Sequence, residues 1–595
     1  MSKRAKGSGG RGSPRVDAVA SGPAGRGALV AQRPSGETVC SSRLARWEWV
    51  LLGVILAVGA YLRFSHLDLL EFQGDEAYAA NLALGFVKHG RLPAAGLMSS
   101  VGVTNPPLFI YLLIPLFAIC TDPVCVSCCI AVLGLSAVAI CWWVGHKYYG
   151  SLAGLVAAAL FAVSPWAVIY SRKIWAQDFV PVLATGTLWA VHAVALGRKP
   201  KAIFWCVLLP LSVVQIHFSG LALTAAVIVI LACLRPRIDW RLGAAGLAAA
   251  LVLMIPYLQL QSRTGWADLR QAMNTVGGGQ QWEQLQGMTI HPVTGYRLPS
   301  RNLVGDALAV MDGGRIEDVL GISASSACDR AQVWAHKRGG TGRYFAQSLT
   351  LGDGLLWLER LAFVAGFVWM VAVHRLRMKD ELGRRSWILV PWLIVPLLVF
   401  WIGGVWVYLS YFVILYPAHF LVCGMAAERF PRRQRWLAVG AATVLVAGNI
   451  IFMVDFYRFV GRNGGAQGTF GTALGVKQQA ARFLAERGGL RLRAESEAQL
   501  RLATARTPAE RRNLAESLGQ PMLLELNHEG QAELPQLEWP LLVTQRPAGP
   551  GLWPTNSTIL LVDGNREALQ PQQWQQLAQY PRTNFGPISI FFVKR

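Results

Sequence analysis

Long apolar runs separated by short polar connections make up most of the chain. A transmembrane helix needs about 20 predominantly apolar residues, and many of the runs meet or approach that length. They lie at about residues 49–64, 125–144, 151–170, 179–196, 202–217, 219–234, 241–260, 353–373, 386–402, 406–426 and 436–455. A further run, Pro107–Cys120, has only 14 residues and suits a re-entrant or interfacial segment better than a crossing. The pattern predicts an all-α polytopic membrane protein with about 11 transmembrane helices.

The basic residues between the runs predict the orientation of the chain. Cytoplasmic connections carry an excess of Lys and Arg. If Pro107–Cys120 does not cross, the basic connections all fall on the side of the N-terminal tail, and if it crossed they would all lie outside. They are His146-Lys147, Arg198–Lys201, Arg235–Arg241, His374–Arg385 and Glu428–Arg435. We therefore expect these connections in the cytoplasm and the C-terminus outside.

Residues 1–456 consist of a polar N-terminal tail followed by the apolar runs, two of whose connections are long. Residues 1–46 are rich in Gly, Ser, Pro and Arg, which predicts a disordered basic cytoplasmic tail. No cleavable signal precedes the first span, so it is expected to remain as a signal anchor. Residues 47–456 are the predicted transmembrane domain, with outer loops at 65–124 and 261–352. A loop as long as the second is often a functional lid or partly disordered.

Residues 457–595 change character and become typical of a soluble domain. A helical pattern at about 472–487 and a charged helical stretch at about 494–518 precede short apolar runs that predict strands. These runs are Met522–Leu526, Leu541–Val543, Thr558–Val562 and Ile588–Val593. We expect a small α/β domain outside the membrane.

Composition supports a membrane protein and argues against a nucleic-acid partner. The chain is 53% hydrophobic and 15% charged, whereas a soluble protein carries about 25% charged residues. The net charge of +22 would suggest nucleic-acid binding in a soluble protein, but here the basic residues follow the positive-inside rule. The 22 Trp residues suit anchoring in membrane lipids at the interface.

Four of the ten cysteines lie close together in sequence. They are Cys120, Cys125, Cys128 and Cys129. No His or further Cys pair completes a zinc pattern. We interpret them as small buried hydrophobic residues, with a disulfide as the alternative.

The most unusual polar stretch is Glu71-Phe-Gln-Gly-Asp-Glu-Ala-Tyr78, directly after the first span. Asp75 and Glu76 lie where a membrane span meets water, and ionisable groups at that depth are expensive and usually functional. Two adjacent carboxylates repel, so one of them can have a raised pKa and act as a general base towards a hydroxyl. The alternative is a solvated acidic turn that caps the next helix.

A second polar group occurs in Ser171-Arg-Lys-Ile-Trp-Ala-Gln-Asp178. Arg172 and Lys173 are predicted at the outer interface, against the general bias of basic residues. Two cations there suit a lipid-linked phosphate, and Arg can bind it bidentately. Snorkelling to lipid headgroups explains them equally well. Asp178 is either a helix cap or a partner of Arg172.

Further candidates lie at other predicted outer ends of spans. His217 is one of them, although a lone His is more often a hydrogen-bonded structural residue. The aromatic residues of the segment Tyr408–Pro417, including Tyr411 and Tyr416, can line a sugar site or serve as interfacial anchors.

Taken together, these motifs resemble the protein O-mannosyltransferase and aminoarabinose-transferase group of membrane glycosyltransferases, which have the GT-C fold. The resemblance rests on Gly74-Asp-Glu-Ala77, Asn105-Pro-Pro-Leu108, Arg172…Asp178 and Tyr411…Tyr416-Pro417, in this order and on one predicted side. It covers about residues 48–430. Within the group, the bacterial branch of lipopolysaccharide galacturonosyl and mannosyl transferases is the most similar.

The resemblance implies an inverting sugar transfer from a polyprenyl-phosphate donor to an acceptor outside the membrane. Asp75 would be the base or acceptor-orienting carboxylate, Glu76 would support it, and Arg172 and Lys173 would hold the leaving phosphate. The remaining expected substrate-binding residues are Tyr78, Asn105, Asp178, His217, Tyr411 and Tyr416.

One departure from the family pattern concerns the acceptor. Protein O-mannosyltransferases often have His-Pro-Pro followed by Lys, whereas here Asn105 replaces the His and no Lys follows. This favours a lipid or glycan acceptor over a protein.

No cofactor is required, and a divalent metal at Asp75, Glu76 and Asp178 is compatible with the sequence. The expected location is a bacterial-type plasma (inner) membrane.

Two other functions are compatible with a polytopic chain. A transporter or lipid-glycan flippase would place ionisable residues near mid-membrane, but here the polar residues gather at one predicted face. A non-catalytic assembly protein would use the outer α/β domain for binding. It would keep its function when Asp75 is neutralised.

Overall fold

The computed structural model describes most of the apolar part of the chain. It covers residues 45–72, 74–99, 103–275, 303–312, 340–374, 380–403, 407–465, 470–486, 541–544, 559–563, 575 and 578–592. All of these except Ala45 belong to the unit Arg46–Arg595. The predicted tail 1–46 therefore falls almost entirely outside the described residues, as do the predicted helix 494–518 and the strand Met522–Leu526.

The α-helices of the described residues are numbered in chain order. They are α1 (Arg46–Phe64), α2 (Gly74–His89), α3 (Leu108–Ile119), α4 (Pro123–Tyr148), α5 (Ser151–Val163), α6 (Pro165–Ile169), α7 (Val180–Ala195), α8 (Ile203–Ile216), α9 (Ser219–Leu234), α10 (Trp240–Arg263), α11 (Ala267–Thr275), α12 (Leu303–Asp312), α13 (Gly340–His374), α14 (Glu381–Gly403), α15 (Tyr416–Arg429), α16 (Arg435–Asn463) and α17 (Leu474–Glu486). Short stretches of 3-10 helix lie between some of them, including Leu67–Leu69, Ala176–Phe179 and Leu409–Leu415.

The helices confirm the predicted multi-pass membrane architecture. By length and composition, 8 helical segments of the described chain can cross a membrane. They are Arg46–Phe64, Pro123–Tyr148, Ala176–Ala195, Trp240–Arg263, Gly354–Ala372, Gly383–Gly403, Leu409–Arg429 and Arg432–Asn463. The shorter apolar helices Ser151–Val163, Pro200–Ile216 and Ser219–Leu234 occupy the other predicted positions. Within the described residues, each run that the sequence assigned to a span therefore contains α-helix, and the run 151–170 is divided at Ser164 into α5 and α6.

The helix α3 has the length expected of a segment that does not cross. Its 12 residues rise about 18 Å at 1.5 Å per residue, against a hydrocarbon core of about 30 Å. The helix packs against α2, and the hydroxyl of Tyr111 donates a hydrogen bond to the carbonyl of Pro93 at 2.9 Å. The loop after the first span is thus built from two helices that support each other.

Small residues let the central helices approach closely. A Cβ atom on Gly145 of α4 would lie 2.6 Å from the Cα of Gly154 in α5. The helix α5 also packs extensively on α15. Close backbone contact through small residues is the usual way that helices associate in a membrane, where no hydrophobic force drives them together.

The C-terminal part has the predicted α/β character. The strands β1 (Leu541–Thr544), β2 (Ile559–Asp563), β3 (Arg582–Phe585) and β4 (Ile588–Phe592) form one sheet of order β1-β2-β4-β3. The pair β1–β2 is parallel, and the pairs β2–β4 and β3–β4 are antiparallel. The helix α17 packs on β3 and β4. Within these ranges the predicted helix and three predicted strands are confirmed, whereas β3 was not predicted.

Two boundaries differ from the expected ones. The last span belongs to α16, which continues to Asn463, past the expected start of the soluble domain at 457. The long loop 261–352 contains the helices α11 and α12, and α13 already begins at Gly340. The glycines Gly277–Gly279 lie outside the described residues.

The polar segments that were expected on one face meet at one end of the bundle, here called the polar end. The guanidinium of Arg172 donates to the carbonyl of Leu62 at 2.7 Å, which joins the turn after α6 to the end of α1. The turn Ala176–Phe179 contacts Leu409–Leu415. That this end faces the outside of the membrane stays a prediction.

Candidate active site

The acidic loop ends in the first turn of α2, where the partial positive charge of the helix N-terminus favours carboxylates. This turn contains Asp75 and Glu76. Asp75 is exposed, whereas Glu76 is only 2% exposed. Glu71 precedes the helix and forms an isolated backbone bridge to Ala473. The loop therefore offers one accessible carboxylate beside buried ones.

Lys173 lies among these carboxylates and defines the Lys173 cluster (Glu71, Asp75, Glu76, Lys173 and Asp178). Its Nζ atom is 2.9 Å from Oε1 of Glu71 and 3.6 Å from Oε1 of Glu76. Burial alone would lower the pKa of Lys173, but the charges of Glu71, Glu76 and Asp178 outweigh it and raise that pKa. The lysine therefore remains cationic although it is 6% exposed.

Trp175 completes the surroundings of this ammonium group. The Nζ atom of Lys173 lies 4.0 Å from the centre of the Trp175 ring, a cation–π contact. The Trp175 side chain is also hydrogen-bonded to the carboxyl group of Asp75. One aromatic residue thus contacts both the buried cation and the exposed carboxylate.

The pKa values of two carboxyl groups of the loop, those of Asp75 and Glu71, lie above the usual range. Loss of solvent is the largest cause that raises the pKa of Asp75 to about 6, the charge of Glu76 adds to it, and Lys173 and Trp175 oppose it. Asp75 retains an exposed surface, yet protein surrounds it closely enough for this loss of solvent to dominate. Burial likewise raises the pKa of Glu71, with Lys173 opposing and Glu76 adding.

Asp178 is held by the backbone of the same turn. Its Oδ2 atom accepts a hydrogen bond from the Lys173 N–H group at 3.3 Å. The residue is 1% exposed, and in the part of the chain that the structure describes its Oδ1 atom has no hydrogen-bond partner. The structure therefore joins Asp178 to Lys173 and not to Arg172.

Arg172 makes structural contacts. Its Nη1 atom donates to the carbonyl of Leu62 at 2.7 Å and to the hydroxyl of Tyr457 at 2.8 Å, and Nη2 donates to the carbonyl of His66 at 2.8 Å. The guanidinium also stacks at 4.5 Å on the Tyr457 ring. These contacts tie the turn to α1 and α16, and the expected contact with a donor phosphate stays a prediction.

Asn105 also has a structural role. Its side-chain Nδ2 donates to the carbonyl of Leu97 at 3.1 Å, and its backbone N–H donates to the same oxygen at 2.9 Å. The residue is 7% exposed. Asn105 therefore holds the segment that leads into α3 against the strand-like stretch at Leu97.

Tyr78 is half-buried in α2, two residues after Glu76.

His217 and Tyr411 form a second group at the polar end. Their rings lie 4.4 Å apart at 75°, and Nδ1 of His217 is 2.9 Å from the Ser219 hydroxyl. His217 is only 4% exposed, so its ring lies largely inside the protein. Tyr416 is completely buried and packs on Phe420, which is the geometry of a core residue.

Three residues of this region were not among the predicted site residues. Glu71 and Trp175 lie inside the two polar segments that the sequence singled out, so proximity in sequence is a signal for them. Lys477 is 1% exposed, and its ammonium group donates to the carbonyl of Phe72. Nothing in the sequence connects this C-terminal lysine to the acidic loop.

The metal ligands suggested by the sequence do not assemble into a metal-binding group among the described residues. Asp75, Glu76 and Asp178 do not bring their ligand atoms together as a trio. The group that does so in the described ranges consists of Glu359, His419 and Cys423.

Comparisons with known proteins give structural similarity alone. No protein-family model and no curated protein matches the chain. ArnT from Cupriavidus metallidurans bound to undecaprenyl phosphate is similar with a TM-score of 0.45 and 12% identity, over 92% of this chain and 98% of ArnT. The archaeal oligosaccharyltransferase AglB from Archaeoglobus fulgidus, in complex with an inhibitory peptide and a dolichol-phosphate, is similar with a TM-score of 0.43 and 9% identity, over 92% of this chain and 74% of AglB. The assignment of function therefore rests on the site itself.

Proposed function

We propose that this protein is an inverting membrane glycosyltransferase of the GT-C type. It transfers a sugar from a polyprenyl-phosphate donor to the hydroxyl of a lipid or glycan acceptor at the outer face of the plasma membrane. The observation that carries the proposal is the exposed Asp75 carboxylate, with its raised pKa, beside the buried ion pairs of Lys173. The order of sequence motifs around this group supports the same assignment.

Asp75 has the properties of a general base for a hydroxyl group. A base works best when its pKa lies near the operating pH, and a pKa of about 6 leaves Asp75 ionised at neutral pH but more basic than an ordinary aspartate. In the transfer, the acceptor oxygen forms a bond to the anomeric carbon while the bond from that carbon to the phosphate oxygen breaks. The acceptor proton goes to Asp75, and polyprenyl phosphate leaves.

The buried members of the Lys173 cluster position this base. Glu76 follows Asp75 in the same helical turn, and its charge keeps the pKa of Asp75 high. Lys173 compensates the buried charges of Glu71 and Glu76 and thereby stabilises the loop. No step of the proposed reaction uses a metal ion.

The substrate contacts are part of the proposal. Tyr78 is half-buried on the helix that presents Asp75, and the rings of His217 and Tyr411 lie together at the same end of the bundle. Aromatic faces and neutral hydrogen-bonding groups suit a sugar. The side chains of Arg172 and Lys173 already donate hydrogen bonds to oxygen atoms of the protein itself. We therefore propose that they attract the donor phosphate through their positive charge.

Sugar transfer by the purified protein in detergent tests the proposal. Wild type, Asp75→Asn and Asp68→Asn are each incubated with a panel of polyprenyl-phosphate sugars as donors. An extract of envelope glycolipids supplies the acceptors. Asp68 is an exposed aspartate of the same loop and serves as the matched control. We expect transfer by wild type and Asp68→Asn and at least a hundredfold loss in Asp75→Asn, since a positioned base contributes about 10²–10⁴ in rate.

Two results would contradict the proposal. Full activity of Asp75→Asn would remove Asp75 from the reaction. Movement of a lipid-linked glycan across liposome membranes by wild type, with no transfer from any donor, would favour a flippase.

A further inference from the structure

Glu359, His419 and Cys423 form a buried group away from the acidic loop. The Nε2 atom of His419 is 3.1 Å from Oε1 of Glu359 and 3.9 Å from Sγ of Cys423. All three ligand atoms lie within 4.8 Å of one another. The three residues are 3%, 1% and 3% exposed, respectively. Carboxylate, imidazole and sulfur donors therefore converge in the interior of the bundle.

Helix geometry explains why these side chains meet. His419 and Cys423 are four residues apart in α15 and share one face of the helix, and Glu359 projects from α13. A Cβ atom on Gly366 would lie 2.7 Å from the carbonyl of Val422, so α13 and α15 approach closely. The donor atoms thus belong to two helices that are already in contact.

The distances suit a small tetrahedral metal ion. Zinc binds nitrogen and oxygen at about 2.0–2.2 Å and sulfur at about 2.3 Å, which separates neighbouring tetrahedral ligands by about 3.4–3.6 Å. The observed separations of 3.1 Å and 3.9 Å bracket this range. Only small side-chain shifts are needed to place one ion between the three donors.

The donor set and its charge favour zinc over other ions. Calcium and magnesium take oxygen ligands almost exclusively, whereas zinc accepts carboxylate, imidazole and thiolate together. A Zn²⁺ ion bound to one carboxylate, one thiolate and a neutral imidazole has no net charge. Both helices contain predicted membrane spans, where an uncompensated charge is expensive. A neutral metal site satisfies this constraint.

We propose that Glu359, His419 and Cys423 bind one zinc ion that cross-links α13 and α15, with a water molecule as fourth ligand. Binding displaces the proton of the Cys423 thiol, because the thiolate is the ligand. The site is separate from the transfer reaction proposed for Asp75.

Metal content tests the proposal directly. The protein is purified in detergent without metal-affinity chromatography, dialysed against zinc and then against buffer, and analysed by mass spectrometry for metals. We expect about one zinc per chain in wild type and less than about a tenth of that in Cys423→Ser and His419→Gln. Cys141→Ser is the matched control, since Cys141 is equally buried and its Sγ atom lies 3.9 Å from the carbonyl of Pro417. The control should retain its zinc.

A spectroscopic measurement on wild type keeps the test decisive if a variant does not fold. Cobalt substituted for zinc should show thiolate-to-cobalt charge-transfer absorption, and zinc should displace it. Wild type that binds neither zinc nor cobalt overturns the proposal and leaves a hydrogen-bonded Glu359–His419 pair. Zinc retained by Cys423→Ser and His419→Gln, or cobalt bound without a thiolate band, overturns it as well.

Discussion

Lys477 donates a hydrogen bond from its buried ammonium group to the main-chain carbonyl of Phe72, across a sequence separation of 405 residues. The backbone supports the same junction, because the Leu474 N–H group donates to the carbonyl of Leu70 at 2.9 Å. The C-terminal segment thereby fixes both ends of the short stretch that contains Glu71. The domain after the last span is thus part of the architecture of the acidic loop.

Loss of this contact should weaken the proposed transfer reaction. In Lys477→Met the carbonyl of Phe72 loses a charged donor, and hydrogen bonds to charged groups contribute about 1.5–3 kcal/mol. We expect about a tenfold or greater fall in kcat/KM, because the loop that positions Asp75 is less well ordered. The control is Lys201→Met, at an exposed lysine in a basic connection, which should leave transfer unchanged. An unchanged rate in Lys477→Met would show that the C-terminal segment does not support the loop.

The ion pairs of Lys173 should be important for stability. Replacing one partner of a buried pair leaves the other charge uncompensated, which costs about 3–5 kcal/mol. Lys173→Met should therefore lower the unfolding temperature strongly, and the double variant Lys173→Met/Glu71→Gln should recover part of the loss. Arg385→Met disrupts the pair of Arg385 with the exposed Glu381 and should cost less than about 1 kcal/mol. If Lys173→Met and Arg385→Met lowered the unfolding temperature equally, the ion pairs of Lys173 would not have the importance for stability expected here.

Trp175 should tune the proposed base through its hydrogen bond. That bond lowers the pKa of Asp75, so Trp175→Phe should raise the pKa and move the acidic limb of the rate profile to higher pH. Phenylalanine keeps an aromatic ring near Lys173, so the variant separates the hydrogen bond from the cation–π contact. The pH dependence of kcat/KM measures the shift. A limb that moves to lower pH would contradict the geometry.

The sequence predicts the helices well because membrane spans depend on local hydrophobicity. Each predicted span contains α-helix in the described residues, and α3 has the short length expected of a segment that does not cross. The strand β3 was missed because Arg582–Phe585 contains no apolar run, and its half-buried side chains alternate with exposed ones. Its position comes from pairing with β4, which is not local information.

The sequence singled out the segments of the candidate site but not the contacts between them. The acidic loop and the basic turn were both recognised, yet Lys173 and Glu71 are 102 residues apart, and no spacing rule joins them. Sequence alone also could not show that the Arg172 guanidinium donates hydrogen bonds to the carbonyls of Leu62 and His66 and to the hydroxyl of Tyr457. The docking of Lys477 depends on tertiary packing in the same way.

The pH dependence of sugar transfer by wild type and Glu76→Gln tests the central claim most directly. Asp75 must be ionised to accept a proton, so kcat/KM should be constant above about pH 6 and fall about tenfold per pH unit below it. Removing the Glu76 charge takes away a cause that raises the pKa of Asp75, so the acidic limb of Glu76→Gln should move to lower pH. A limb at the same pH in both proteins, or a rate that does not fall below pH 6, would contradict the assignment of Asp75 as the base.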